Sequence, residues 1–333
     1  ILGTKAETLA RLEPLVKKSH INKQINFTAH DWSTKSNLIL KKIKKNFFGA
    51  SLVVRSSSKR EDSWQLSNAG KFESFLNIKV DDPIAIRKAI ESVISSYGEK
   101  HYQEDQVLVQ EFLKKTNSSG VLFTCSLETG APYYHFNFDD KTHSTNSVTS
   151  GVKGDLRTIV VSKLKSEYLK EVEPQMICVL EAVQELEQLL GYDRLDIEFG
   201  VDLGGKVHIF QVRPITLDHS DFDNNLKAIK KSLEDNVLQF DNEQGPKPFL
   251  YGDKTIFANM PDWNPAEIIG KKPKPLAFSL YRHLITNDIW AQQRYEFGYK
   301  DVRPYPLIMS FSGQPYVDTR VSFNSFLPKD LPE

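Results

Sequence analysis

Residues 195–216, LDIEFGVDLGGKVHIFQVRPIT, restrict the fold of this chain more than any other stretch. Apolar and polar residues alternate on both sides of Gly204 and Gly205, which is the pattern of two strands that each bury one face. A Gly-Gly pair between two such runs is typical of a tight hairpin turn. The sequence therefore predicts an antiparallel hairpin here.

The rest of the chain mixes helical and strand patterns without regular strand–helix alternation. Helical periodicity predicts helices over 6–18, 33–47, 83–97, 173–191 and 222–239. Short apolar runs between turn residues predict strands over 51–56, 106–113, 120–127 and 132–138. This mixture favours an α+β fold over a doubly wound parallel sheet.

Length and composition bound the class of protein. With 333 residues, two or more domains are expected. Lys plus Arg and Asp plus Glu both number 43, so no basic field suggests nucleic-acid binding. Two cysteines without metal-ligand spacing argue against a disulfide framework or a structural zinc. No apolar run reaches about 18 residues, so we expect no membrane span and a cytoplasmic protein.

The predicted hairpin carries polar residues that could do chemistry. Asp196 and Glu198 share one face of the first strand, and Gln211 and Arg213 share one face of the second. Pairing across the turn would bring the two sets together, where a carboxylate and an amide oxygen suit Mg²⁺ beside phosphates. The alternative is a solvated sheet face with cross-strand ion pairs.

A second candidate lies at the end of the strand SLVVRSSS, residues 51–58. Arg55 and the serines after it could bind an anion, since guanidinium groups and small hydroxyls both suit phosphate oxygens. The alternative is a surface loop with an ordinary salt bridge. Lys5, at a helix start, and the Gly-containing loop 148–155, VTSGVKGD, are weaker candidates by themselves.

Taken in order, these segments resemble a known family. GTKAETLARL, VVRSSSKRED, SNAGKFESFLNI, VLVQEFL, SGVLFT, VTSG and DIEFG with QVRPIT follow one another as in the nucleotide-binding domain of PEP synthase and pyruvate phosphate dikinase. The resemblance spans residues 1–217. It implies an ATP-grasp-type nucleotide-binding domain, followed by a smaller C-terminal α/β segment.

The resemblance also implies residue roles. Lys5 and Arg55 match the phosphate-binding residues, and Gly70 matches the loop over the phosphates. Arg213 matches the arginine needed at the transferred phosphoryl group. The adenine hinge would be Gln110, Glu111, Phe112 and Leu113, and the Mg²⁺ ligands would be Glu198 and Gln211.

Two departures from the family pattern qualify these roles. The segment between the lysine helix and the RSSS strand is short and lacks a Pro-Pro-Gly-Phe turn, which puts the lid-like part in doubt. The Thr-Ser-His-Ala phosphohistidine motif is absent, so that histidine is expected on a downstream domain of the same polypeptide. His208 lies on the QVRP strand, three residues before Gln211, and should point to the opposite face.

The predicted domain organisation has three parts. The nucleotide-binding domain would occupy 1–217, a helix and linker 218–246, and the start of a second, acceptor-binding domain 247–333. The last part is similar to PEP-synthase-like proteins of capsule or surface-polysaccharide clusters, a group that includes an L-glutamine kinase. Alternation there predicts a strand face for acceptor binding or, alternatively, for solvent: Asp318, Arg320, Ser322 and Asn324.

The function expected from the sequence is ATP- and Mg²⁺-dependent phosphoryl transfer. The resemblance implies transfer through the absent phosphohistidine to L-glutamine or pyruvate, with release of AMP and phosphate. Two alternatives stay open. One is a direct ATP-grasp ligase that releases ADP, and the other is a non-catalytic nucleotide-binding regulatory module.

Overall fold

The computed structural model describes residues 1–58, 62–63, 66–67, 74–98, 104–142, 156–218, 220, 225–260 and 264–331. The chain forms two compact units, Ile1–Asn224 and Asn225–Glu333. The second unit includes the QGPKP stretch at 244–248. It also includes the helix predicted over 222–239, except for the residues before Asn225. The three-part domain division stays a prediction.

The first unit combines helices with antiparallel strands. Its α-helices are α1 Lys5–Leu12, α2 Ala29–Asn46, α3 Pro83–Ser96, α4 Leu169–Val172 and α5 Ile177–Leu190. Its strands are β1 Gln24–Thr28, β2 Ser51–Ser57, β3 Asp62–Ser63, β4 Leu66–Ser67, β5 Ser74–Lys79, β6 Gln106–Glu111, β7 Thr116–Phe123, β8 Tyr133–Asp139, β9 Arg157–Ser162, β10 Leu195–Asp202 and β11 Val207–Pro214. Two 3-10 helices, Lys163–Tyr168 and Pro174–Met176, precede α4 and α5.

A four-stranded sheet in the order β1-β6-β2-β5 forms the first layer, and all its pairs are antiparallel. Helices α2 and α3 pack on one face of it. Their common core includes Ile43, Leu52, Val54, Ile90 and Val109. Because β2 is buried along its whole length, its other face is also covered, and this face carries Val53, Arg55 and Ser57.

A five-stranded antiparallel sheet in the order β11-β10-β7-β8-β9 forms the second layer. Helices α1 and α5 share its core, which includes Leu9, Phe136, Leu186, Ile197 and Ile209. Leu108 of β6 belongs to the same core, so α1 and the first sheet are packed against the second sheet. Through Leu108, the face of the first sheet opposite α2 and α3 contributes to the core of the second sheet.

These elements confirm the α+β prediction and most of the individual helices and strands. The 195–216 hairpin forms, and Gly191 ends α5 in the left-handed conformation with φ 60°. Several boundaries differ. The helix predicted over 6–18 ends at Leu12, the one predicted over 33–47 begins at Ala29, and the one predicted over 222–239 runs from Leu226 to Glu243. The strand predicted over 106–113 ends at Glu111, the one predicted over 120–127 runs from Thr116 to Phe123, and the helix predicted over 173–191 begins at Ile177 after a 3-10 turn.

The second unit contains a small sheet with helices around it. The strands β12 Phe257–Ala258, β13 Ile308–Phe311 and β14 Gln314–Asp318 pair in the order β12-β14-β13. The α-helices are α6 Leu226–Glu243, α7 Pro265–Ile268, α8 Pro275–Tyr281, α9 Asp288–Glu296 and α10 Thr319–Asn324, and a π-helix spans Arg282–Thr286. The core includes Trp290, Leu307, Ile308, Val317 and Val321.

The predicted acceptor strand face at 318–324 is wrong. Asp318 ends β14 and caps α10, where its carboxylate accepts from the Arg320 and Val321 amides. The four polar side chains are buried, and those of Arg320 and Asn324 bind backbone carbonyls. Alternation of polar and apolar residues here reflects the start of a short helix, so an acceptor site on Asp318, Arg320, Ser322 and Asn324 loses its structural basis.

Arg320 has a structural environment instead. Its guanidinium donates to the carbonyls of Gly245 at 2.8 Å, Glu243 at 2.7 Å and Gly252 at 3.3 Å. These carbonyls belong to the segment that joins α6 to β12. One buried side chain therefore fixes the backbone of the whole connection.

Within the described ranges, no helix combines the length and the apolar character needed to cross a bilayer.

We expect Arg320→Met to lower the free energy of unfolding by roughly 2–4 kcal/mol, because buried carbonyls would lose their donor. Thermal and urea unfolding of the full chain measure this change. Lys271→Met, which removes an exposed cation from the same unit, is the matched control and should leave stability within about 0.5 kcal/mol. An unfolding curve unchanged by Arg320→Met would contradict the structural role.

Candidate functional site

A cleft in the first unit lies where the polar faces of the two sheets meet. It encloses about 510 Å³, a volume that includes space open to solvent. Six predicted site residues line it, namely Arg55, Gln110, Glu111, Phe112, Leu113 and Glu198. The remaining lining residues are Asn22, Val53, Leu76, Ser119, Phe199 and Phe210.

Arg55 crosses from the first sheet to the second. One guanidinium nitrogen lies 2.5 Å from Glu198 Oε2, and another donates to the Phe210 carbonyl at 2.9 Å. The side chain is 5% exposed, and its buried Nε has no hydrogen-bond partner among the described residues. A buried, unsatisfied donor in a cleft is a position where an anionic ligand would supply the missing acceptor.

The hairpin brings its polar residues together as the sequence predicts. Asp196 pairs with Arg213 and Glu198 pairs with Gln211 in the β10–β11 register. Arg213 donates to Asp196 Oδ2 at 2.7 Å. Asp196 and Gln211 are buried, which excludes the alternative of a solvated sheet face.

The pKa values of the two carboxyl groups shift in opposite directions. Burial raises the pKa of Asp196, although the Arg213 guanidinium opposes this effect. Burial would also raise the pKa of Glu198, but the charges of Arg55 and Lys5 outweigh it, and this pKa lies below its usual range. Glu198 is therefore held as a carboxylate.

Lys5 enters this cluster because α1 is anchored to the first sheet. Thr4 caps α1, and its hydroxyl donates to Gln106 of β6 at 3.0 Å. The Ala6 amide, in the first turn, donates to the Ser57 hydroxyl at 2.9 Å. Lys5 itself is buried, and its positive charge lowers the pKa of Glu198. The helix start is thus fixed beside the hairpin carboxylates.

The same contacts explain part of the RSSS strand end. Ser57 binds the start of α1, and the Ser58 hydroxyl donates to Asp105 at 2.6 Å. Residues Arg55–Ser58 are buried, so the alternative of a surface loop is wrong. These two serines hold protein groups in place and support the position of Lys5.

The cluster as a whole carries excess positive charge. Lys5, Arg55 and Arg213 are cationic, whereas Asp196 and Glu198 are anionic, so the formal charge is about +1 with both carboxyls ionised. Such a charge in a cleft favours an anionic ligand.

The donor set also fits Mg²⁺ held partly by a ligand. Among the described residues, no group of three or more His, Cys, Asp or Glu side chains could hold a metal ion by itself. Mg²⁺ is commonly bound by one or two protein oxygens, with water and phosphate completing the shell. Arg55 contacts Glu198 Oε2 at 2.5 Å and Gln211 Oε1 at 3.5 Å, so this guanidinium lies beside both proposed metal ligands.

The hinge residues form the other end of the cleft. The Gln110 side chain donates to Gln24 at 3.2 Å, and the Phe112 amide donates to the Ser51 carbonyl at 2.8 Å. Phe210 lies opposite on β11, over Gly200. A Cβ at Gly200 would come within 2.9 Å of the Phe210 ring, so glycine permits the ring to lie against the sheet.

The predicted orientation of His208 is wrong because the hairpin contains a bulge. Phe199 pairs with Ile209 and Glu198 with Gln211, so Phe210 is the extra residue. Paired residues share a face, and His208 pairs with Gly200, two residues from Glu198. His208 therefore lies on the same face as Gln211.

Some cleft residues were not predicted. The bulge that turns Phe210 into the cleft has no signature in the alternating QVRP strand. Asn22 precedes β1 without any motif around it, and its position depends on contacts distant in the sequence. Gly70 and the loop 148–155, which were predicted, lie outside the described residues.

Arg55→Met should lower the free energy of unfolding by roughly 3 kcal/mol near pH 7.5, because Glu198 would remain buried without its partner. Without Arg55, burial should raise the Glu198 pKa above its usual value, so the deficit should shrink as the pH falls toward about 5. Urea denaturation at both pH values measures it. A pH-independent deficit, or one that Glu198→Gln fails to relieve in the double variant, would contradict this account.

A known protein family matches part of the first unit. Residues 6–148 match the family described as the pyruvate phosphate dikinase AMP/ATP-binding domain. This match supports nucleotide binding by the first unit. No curated protein sequence matches the chain.

Among solved structures, the chain is similar to D-alanyl-alanine synthetase A from Vibrio cholerae O1 biovar eltor str. N16961. The sequence identity is 14% and the TM-score is 0.36. The match covers 68% of this chain and 59% of that chain. The chain is also similar to ATP citrate lyase from Methanothrix soehngenii, solved with citrate and coenzyme A, with 11% identity and a TM-score of 0.39. This match covers 63% of this chain and 49% of that chain. The chain thus spans about half to three-fifths of these structures. Within the first unit, residues 6–148 match an AMP/ATP-binding domain, and the antiparallel sheets with their helices form an α+β fold.

Proposed function

We propose that this chain is the Mg·ATP-binding part of a dikinase-type phosphotransferase of the cytoplasm. Its acceptor would be a small molecule, L-glutamine or pyruvate. The reaction would pass through a phosphohistidine on a separate domain and release AMP and phosphate.

One observation carries this proposal. Arg55 and Glu198 line the cleft, Arg55 contacts Glu198 and Gln211, and the positive charges of Lys5 and Arg213 act on the same Glu198 carboxylate. The hinge residues line the same cleft. A cleft with apolar lining residues beside cationic side chains and metal-suited oxygens is the arrangement that a nucleoside triphosphate needs.

The proposed roles combine these positions with the family resemblance, from which the role of Gly70 alone is taken. The phosphates would contact Lys5, Arg55 and Gly70, and Glu198 and Gln211 would hold Mg²⁺. Arg213 would stabilise charge that develops on the transferred group. The adenine would lie against the hinge, which comprises Gln110, Glu111, Phe112 and Leu113. Mg²⁺, when bound, would neutralise charge on the phosphate oxygens.

The proposed transfer is stepwise. A histidine nitrogen attacks the β-phosphorus of ATP, and the bond from that phosphorus to the α-phosphate oxygen breaks, which releases AMP. Water then removes the terminal phosphate, and the remaining phosphoryl group passes from histidine to the acceptor. A covalent intermediate replaces one difficult step by easier ones.

ATP should bind at least tenfold more tightly with Mg²⁺ than with EDTA, because Glu198 and Gln211 would share the metal with the phosphates. Calorimetry with the 333-residue chain tests this. Glu198→Gln should reduce the metal effect, whereas Glu181→Gln, which changes an exposed carboxylate of α5, should preserve it. Equal ATP affinity in both conditions would overturn the metal assignment.

By itself the 333-residue chain should form no AMP that depends on L-glutamine or pyruvate. Phosphoryl transfer needs a nucleophile within about 3–3.5 Å and in line, and the proposal places it on another domain. Chromatography of AMP and ADP after incubation with Mg·ATP and each acceptor tests this. AMP formation that depends on the acceptor would refute the separate histidine, and ADP formation that depends on it would favour a direct ligase. If the chain binds ATP but shows no turnover even with a dikinase histidine domain added, a regulatory module is favoured.

A further inference from the structure

The peptide group between Glu111 and Phe112 is fixed at both ends. Its N–H donates to the Ser51 carbonyl at 2.8 Å. Its carbonyl accepts from Asn22 Nδ2 at 3.0 Å. Glu111 and Asn22 both line the cleft, and their hydrogen bond fixes the direction of the Glu111 carbonyl.

The orientation of the Asn22 amide follows from its partners. A backbone carbonyl can only accept, so the Nδ2 end must face Glu111. The Oδ1 end then faces His208 Nδ1 at 2.6 Å and can only accept from it. Asn22 is 6% exposed, so it has little access to water as a substitute partner.

His208 is in turn held from its other side. Its Nε2 lies 3.1 Å from Asp202 Oδ2. The hydrogen bond from His208, with those from the Lys206 and Gly204 amides, lowers the pKa of Asp202, which is therefore an acceptor. Protein groups therefore hold both ring nitrogens of His208.

We propose that Asn22, oriented by His208 and Asp202, is a positioning residue that fixes the Glu111 carbonyl for recognition of a purine with an exocyclic 6-amino group. This inference rests on the proposed nucleotide-binding function. Asn22 uses one lone pair of the carbonyl, and the other remains for the amino group of the base.

The physical reason for selectivity is the fixed direction of this carbonyl. A 6-amino group can donate to it, whereas a 6-oxo group would place two acceptors face to face. A site built to hydrogen-bond one group rejects an analogue that lacks it, since polar groups are left unpaired. If the peptide could turn, the repulsion would relax and selectivity would fall.

The sharpest test is Asn22→Asp. Aspartate has the size of asparagine and can still accept from His208, but it cannot donate to Glu111. Calorimetry of the 333-residue chain with Mg·ATP and Mg·ITP, which differ in the 6-amino and 6-oxo groups, gives the affinity ratio. We expect the preference for ATP to fall about tenfold, the order of one hydrogen bond.

Three further variants separate positioning from general stability. His208→Leu removes the donor to Asn22 and should lower the same ratio, whereas His208→Gln keeps an N–H donor and should preserve more of it. Asn46→Ala is the matched control, because Asn46 also donates to a backbone carbonyl, that of Lys42, but on α2 away from the cleft. It should leave the ratio unchanged.

The outcomes are distinct. A wild-type chain that binds neither nucleotide overturns the proposed function itself. If the wild type prefers ATP, Asn22→Asp could still lower the affinities for ATP and ITP equally, or change only the unfolding midpoint. In either case Asn22 has only a structural role and this inference fails. A lowered ratio in Asn22→Asp and His208→Leu, with an unchanged one in Asn46→Ala, supports it.

Discussion

The contact between Arg55 and Glu198 joins the two sheets of the first unit at the point where both are polar. Burying a carboxylate and a guanidinium costs several kcal/mol per ion, and their attraction does not always recover that cost. An apolar pair could hold the sheets together at less expense. The buried ion pair is understandable if these charges serve to bind a ligand. The buried Nε of Arg55, which has no hydrogen-bond partner among the described residues, supports the same interpretation.

The rest of the cluster depends on the same sheet-to-sheet contact. Arg55 also binds the carbonyl of Phe210, so it stabilises the bulge that turns this ring into the cleft. The Ser57 contact to α1 lies two residues further along the same strand and fixes Lys5. One strand, β2, therefore determines where a lysine, an arginine and an aromatic ring stand relative to the hairpin carboxylates.

The parts of this arrangement that follow from local patterns could be predicted from the sequence. Asp196, Glu198, Gln211 and Arg213 lie on adjacent strands with a period of two, so a Gly-Gly turn sufficed to place them together. His208 was misplaced because one extra residue in a strand reverses the alternation, and no local composition marked that bulge. Asn22 could not be found, because its contacts to Glu111 and His208 join residues far apart in the chain.

The segment VDTRVSFN shows a conflict between two local signals. Alternating polar residues predicted a strand, but Asp318 followed by helix-compatible residues is equally the start of a helix, since aspartate is a preferred cap. The decisive interaction is tertiary: Arg320 binds three carbonyls contributed by residues 243–252. No pattern within the segment itself reveals those partners.

The charge of the cluster also explains why a metal and a nucleotide would bind together in this cleft. Lys5, Arg55 and Arg213, counted together with Asp196 and Glu198, have a net charge of about +1. A triphosphate carries more negative charge than this cluster can neutralise. In a site shielded from water that imbalance is costly, because charges interact more strongly at low dielectric. A divalent cation beside Glu198 and Gln211 would offset part of it without any further basic residue. The carboxylate of Glu198 contacts Arg55. In the proposed function the same carboxylate would also be a ligand of the cation beside the phosphates.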